Sequence, residues 1–125
     1  MNHNPLIQAY FQANQIVIAE ARDMPLGMLR TLLGVALWGS EDNASSPWTL
    51  EDLAERLDVP PSTVSQHTRY LGYGLRGTIV GLDLVRTSEN LDNRRKKTFV
   101  LTPRGRALVG QIEAALARGC IQGRI

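Results

Sequence analysis

The sequence predicts a mainly α fold with one small β-hairpin, an α+β arrangement in which helices supply most of the core. Three observations predict it. Apolar residues recur at the helical period in five separate stretches. Two adjacent prolines, Pro60 and Pro61, force a sharp turn between two of those stretches. The region with strand-like composition, residues 82–101, has short apolar runs on either side of a polar, basic tip. A chain of 125 residues fits a single domain, 1–125, long enough to bury a core without staples.

The first helix is expected over residues 5–22. Pro5 suits a first-turn position, where its missing N–H loses no hydrogen bond. Leu6, Tyr10, Ala13, Val17 and Ala21 recur at helical spacing, and Ile7, Phe11 and Ile18 widen the apolar face. Asp23-Met24-Pro25 breaks this helix, and a nearly uncharged core helix follows over 26–39. The stretch "GSEDNASSP" reads as a polar loop. Thr49, with Asp52 three residues on, resembles a capping box for a short helix over 50–57, whose Leu50, Leu53, Ala54 and Leu57 share one face. After the proline turn, Ser62 is expected to cap a helix over 62–72. Val64 and Leu71 point inward from it, His67 faces the core by pattern, and Thr63, Ser65, Gln66 and Arg69 lie on the other face.

The next stretch, "GYGLRGTIVG", has four glycines in ten residues and argues against a long helix. Strands are expected over about 82–87 and 96–101, joined through "SENLDNRR". Thr102-Pro103 gives an N-cap followed by a proline in the first turn, so a last helix is expected over 103–118, with Gly119 and Gly123 ending the order.

A short helix turning sharply into a polar-faced helix is the arrangement of helix-turn-helix DNA binders, and a basic hairpin directly after it is a wing. The charge distribution agrees. Residues 1–58 carry three basic and eight acidic side chains, a net of −5, whereas residues 59–125 carry eleven and four, a net of +7. Such asymmetry suggests that one face or end of the fold meets a polyanion. No apolar run approaches the length of a membrane span, and no secretory signal is visible. The single Cys120 rules out an internal disulfide and fits a cytoplasmic location. His3, His67 and Cys120 make no metal constellation, no cofactor is expected, and no catalytic motif is present, so the chain is not expected to be an enzyme.

Three stretches together resemble the MarR family of winged helix-turn-helix transcription regulators. "TLEDLAERLDVPPSTVSQHTRYL" is similar to the family's two-helix reading unit. "DLVRTSENLDNRRKKTFVLTPRGRAL" is similar to its wing, ending in "LT-x-x-G" at Leu101 to Gly105. The paired apolar helices before Ser40 resemble its leading helices. The chain departs from the pattern at His67, where a core leucine is usual, and at Asn93, where the wing usually has aspartate. It also has about eight extra residues within 72–82 and a short C-terminal part.

The resemblance implies double-stranded DNA as partner and a homodimer built through helices 5–22 and 103–118. It is compatible with a small-molecule effector, which no residue here supports on its own. Ser62, Thr63, Ser65, Gln66 and Arg69 suit base edges in a major groove: glutamine can pair bidentately with adenine, and arginine with guanine or phosphate. Arg94 and Arg95 at the hairpin tip suit a minor groove, while Arg86, Lys96 and Lys97 suit flanking phosphates. The sequence therefore predicts a DNA-binding transcription regulator, with repression as its simplest action. The rival reading is a winged-helix module that docks proteins or binds DNA without sequence preference.

Overall fold

The computed structural model describes residues 4–39, 47–75, 79–89 and 96–123. In chain order the elements are α1 (Pro5–Glu20), α2 (Leu26–Trp38), α3 (Leu50–Leu57), α4 (Pro61–Leu71), β1 (Gly74–Leu75), β2 (Ile79–Val80), β3 (Val85–Glu89), β4 (Lys97–Leu101) and α5 (Pro103–Gly123). They form two units, Met1–Met24 with Ala107–Ile125, and Pro25–Arg106.

The first unit joins α1 to most of α5. Asn4 caps α1, its Oδ1 accepting from the N–H groups of Leu6 at 3.1 Å and Ile7 at 3.3 Å. The helix ends at Glu20, two residues short of the expected 22, because Ala21 turns extended at φ −147°. At the other end α5 runs to Gly123, past the expected stop at 118. Gly119 does not end it. A Cβ at Gly119 would overlap Ala9 Cβ and lie 2.8 Å from the Pro5 carbonyl oxygen, so the glycine permits a close approach to α1. Ala9, Ala13 and Val17 of α1 are buried, as are Leu108, Val109, Ile112 and Ala115 of α5. The rest of the wide α1 face stays in solvent: Leu6, Ile7, Tyr10, Phe11 and Ile18 are all exposed, Ile7 by 65%.

The second unit has its own core. Leu32 and Val35 of α2, Leu53 and Ala54 of α3, Val64 and Leu71 of α4, and Leu84, Val85 and Phe99 from the hairpin region are buried. The Thr49 capping box forms: the Asp52 N–H donates to Thr49 Oγ1 at 3.3 Å, and the Thr49 N–H donates to Asp52 Oδ2 at 2.8 Å. Leu57 ends α3 with Asp58 in the left-handed region (φ 58°, ψ 49°), and the Val59 N–H reaches back to the Ala54 carbonyl at 3.1 Å. Arg30 Nη2 donates to the Leu57 carbonyl at 2.9 Å, which ties α2 to α3 and puts positive charge where the α3 dipole is negative.

Four sequence expectations are corrected in this unit. Helix α2 stops at Trp38 rather than 39. Ser62 is not the cap of α4: Pro61 is the first helical residue, its ring pre-setting a helical φ, and the N–H groups of Thr63 and Val64 bond to the Pro60 carbonyl. This helix therefore spans 61–71 instead of 62–72. The wing strands are 85–89 and 97–101 instead of 82–87 and 96–101, paired from Val85↔Leu101 to Glu89↔Lys97. Leu82, Asp83 and Leu84 do not start the strand because their N–H groups bond to the carbonyls of Tyr70, Gly72 and Leu71 at 3.0, 3.0 and 2.7 Å, closing the C-terminal end of α4. The glycine-rich stretch forms a second, two-residue antiparallel ladder, Gly74↔Val80 and Leu75↔Ile79.

Candidate nucleic-acid interface

The polar face of α4 is fixed by what its other face buries. Val64, Thr68 and Leu71 recur at helical spacing and are all buried. The Thr68 hydroxyl donates to the Ser65 carbonyl at 3.0 Å, which lets a polar residue stand in the core. His67 is half-buried against α2, with Nδ1 2.9 Å from Thr31 Oγ1 in a hydrogen bond whose direction follows the tautomer. Burial lowers its pKa from the ordinary 6.5. Ser62, Gln66 and Arg69 are left exposed, with Thr63 and Ser65 half-exposed beside them. The expected reading residues thus share one outward-facing surface of one helix.

The wing contributes Arg86 on β3, Lys96 just before β4 and Lys97 at its start, all exposed. Arg94 and Arg95 lie outside the described residues. Thr102 caps α5, its Oγ1 accepting from the Gly105 N–H at 3.0 Å and donating to the Asp83 carbonyl at 2.6 Å. Arg106 Nη1 donates to the Leu101 carbonyl at 3.0 Å, anchoring the base of β4.

One cleft in this unit brings α4 and the wing together. It has a volume of about 430 Å³, and Ser65 and Arg69 of α4, Tyr73 at the root of β1, Thr87 of β3 and Lys97 of β4 line it. Tyr73 was not singled out from the sequence. Its signal was an aromatic residue set among glycines, and it is 85% exposed. A second cleft, lined by Pro47, Trp48, Asp52, Glu55 and Arg56, has the opposite character, with two carboxylates. There Trp38 and Trp48 stack at 5.1 Å between ring centroids, and the Arg56 guanidinium lies 5.3 Å from the Trp38 centroid.

Among the described residues, no group of three or more His, Cys, Asp or Glu could hold a metal ion. Cys120 is exposed. No helix among the described residues is long and apolar enough to cross a membrane.

No protein-family model matches the sequence, and no curated protein does. Solved structures do match. A crystal structure of RV1404 from Mycobacterium tuberculosis aligns with a TM-score of 0.63 at 21% identity, over 88% of this chain and 65% of that one. A MarR family transcription regulator aligns with a TM-score of 0.59 at 20% identity, over 86% of this chain and 59% of its own. A mutant of Staphylococcus aureus MepR, solved bound to an oligodeoxyribonucleotide, aligns with a TM-score of 0.60 at 22% identity, over 86% of this chain and 67% of that one. The chain thus spans about two thirds or less of the length of these three proteins. At such identities the likeness is one of fold, and the fold this chain shares is the winged helix-turn-helix of the MarR-type regulators.

Proposed function

We propose that this chain is a sequence-specific double-stranded DNA-binding transcription regulator, acting in the cytoplasm as a homodimer and repressing by blocking polymerase. The observation that carries the reading is the outward face of α4: Ser62, Thr63, Ser65, Gln66 and Arg69 lie together on one helix, and the next long strand pair, β3 and β4, bears a cationic wing. A helix of this kind fits a major groove, and short polar side chains at its N-terminal end reach base edges. Arg86, Lys96 and Lys97 supply wing contacts to phosphates, and Arg94 and Arg95, between β3 and β4 in the sequence, add to the basic arm. The MepR structure bound to an oligodeoxyribonucleotide supports DNA as the partner of this fold.

The homodimer is supported by the exposed apolar side chains of α1, since a soluble chain leaves such a row uncovered at an energetic cost. A two-fold dimer places its paired reading helices about 34 Å apart, one turn of DNA, and so reads a pseudo-palindrome. No residue here selects a small-molecule effector.

The test is selection from random double-stranded DNA at about 0.15 M salt, with the bound pool sequenced. A pseudo-palindromic motif is expected. A bound pool identical to the input overturns the regulator reading and favours protein docking or architectural binding.

A further inference from the structure

Resting on the DNA-binding reading, we propose that the cleft between α4, the β1–β2 hairpin and the wing seats one backbone phosphate of the duplex, held jointly by Arg69, Lys97 and the Tyr73 hydroxyl. Arg69 then grips the backbone instead of reading a base.

The position of Arg69 argues for this. Residues near the N-terminus of a reading helix reach base edges. Arg69 stands seven residues beyond Ser62, in the last turn of α4, which places it about 10 Å farther along the helix axis. At that point the helix adjoins the wing rather than projecting from it, and Arg69 lines a cleft with wing residues.

The chemistry of the cleft argues for it too. Its lining includes two cationic residues from different elements, Arg69 of α4 and Lys97 of β4, and the hydroxyl-bearing Ser65, Tyr73 and Thr87, over a floor that includes Leu50 and Val85. No carboxylate lines the cleft among the described residues. Glu89 stands opposite Lys97 across the wing ladder but is not part of the lining. A cleft of about 430 Å³ has room for on the order of ten water molecules, the size of a sugar–phosphate unit rather than a bare ion.

Tyr73 supplies the third wall. It is 85% exposed, so the fold does not need its ring for packing. The backbone that carries it is held in place: the Gly81 N–H donates to the Tyr73 carbonyl at 3.3 Å, and any Cβ at Gly81 would collide with the backbone of Gly72, Tyr73 and Gly74. An amphipathic ring held at a cationic cleft can lie on the sugar while its hydroxyl donates to the phosphate.

The test measures affinity for the selected duplex against salt, with Arg69→Ala, Lys97→Ala, their double variant and Tyr73→Phe. All three side chains are exposed, and unchanged melting temperatures check that each variant folds. Each neutralised phosphate contributes about 0.9 to the slope of log affinity against log salt. If Arg69 and Lys97 of each protomer hold one phosphate, the double variant of the homodimer, which loses two such seats per duplex, loses about 1.8 in slope, with base preference intact. Tyr73→Phe weakens binding about three- to tenfold without changing the slope. A slope loss of about 3.6 in the double variant means two separate phosphates in each protomer and overturns the shared seat. So does relaxed preference at a particular base in Arg69→Ala, or unaltered affinity in Tyr73→Phe. A wild-type chain that selects no motif instead overturns the regulator reading, whatever the variants do.

Discussion

The same substitution on α5 should have opposite effects at two of its glycines. Replacing a helical glycine by alanine stabilises by about 1 kcal/mol, because alanine loses less backbone freedom on folding. At Gly110 a Cβ would meet nothing within 4 Å, so Gly110→Ala should show that gain, about 1 kcal/mol, undiminished. At Gly119 the added Cβ would overlap Ala9 Cβ and sit 2.8 Å from the Pro5 carbonyl oxygen. Neither neighbour is the end of a flexible side chain, so relief requires α1 and α5 to separate. Overpacking of this kind costs about 1–3 kcal/mol, which cancels or outweighs the helix-propensity gain. Gly119→Ala is therefore expected to be neutral to about 2 kcal/mol destabilising, and less stable than Gly110→Ala by about 1–3 kcal/mol. Urea or thermal unfolding at one fixed chain concentration reads the difference, since self-association makes the midpoint concentration-dependent. Pairing Gly119→Ala with Ala9→Gly should show favourable coupling, because it removes one of the two colliding atoms. If Gly119→Ala proves as stabilising as Gly110→Ala, the close packing of these helices is refuted.

Three further outcomes follow from the second unit. Thr49→Ala removes the side-chain half of the α3 capping box and should cost about 1 kcal/mol in urea unfolding, with an unchanged slope; no loss would mean that α3 does not depend on this cap. Burial holds the pKa of His67 below 6.5, so on acidification the unfolded chain takes up this proton first. Stability from this group is therefore full above about pH 6.5 and declines as pH falls below it, and His67→Gln should flatten that decline in melts across pH 5–8. Gln66→Ala should relax preference at particular base positions by about 1–3 kcal/mol, read by comparing single-base variants of the selected duplex; unaltered preference would remove Gln66 from base reading.

What the sequence made legible was what short-range rules govern. Helix α3 falls on the expected 50–57, since a capping box opens it and apolar periodicity carries it. The start of α5 was legible from Thr102-Pro103 for the same reason. What escaped depends on partners distant in sequence. Gly119 looked like a helix stop because a glycine's close approach to another helix is invisible along the chain. Leu82 and Leu84 looked like strand residues, yet their N–H groups serve the end of α4. Thr68 was missed as a core residue because its polarity disguises a hydroxyl satisfied within its own helix. Among the site residues, the exposed face of α4 was legible from periodicity. The place of Tyr73 was not, because only the fold brings it to the same cleft as Arg69 and Lys97.

Charge placement explains why a chain of net charge only +2 can still face a polyanion. At physiological salt the screening length is about 8 Å, so charges near the contact matter and the chain total does not. Helices α3 and α4 differ in how their N-terminal ends are neutralised. Glu51 and Asp52 occupy the first turn of α3, and its capping box satisfies the N–H groups of Thr49 and Asp52, so its positive dipole end is matched by its own side chains. By contrast, α4 has no acidic residue in its first turn and no side-chain cap, because prolines open it. Its dipole is left unmatched by its own side chains, which favours an approaching phosphate at that end. The carboxylates of Asp52 and Glu55 instead line the other cleft, beside Arg56. The two proline residues thus do more than turn the chain: they start α4 without a carboxylate cap, which on the proposed reading leaves its N-terminal end open to a phosphate.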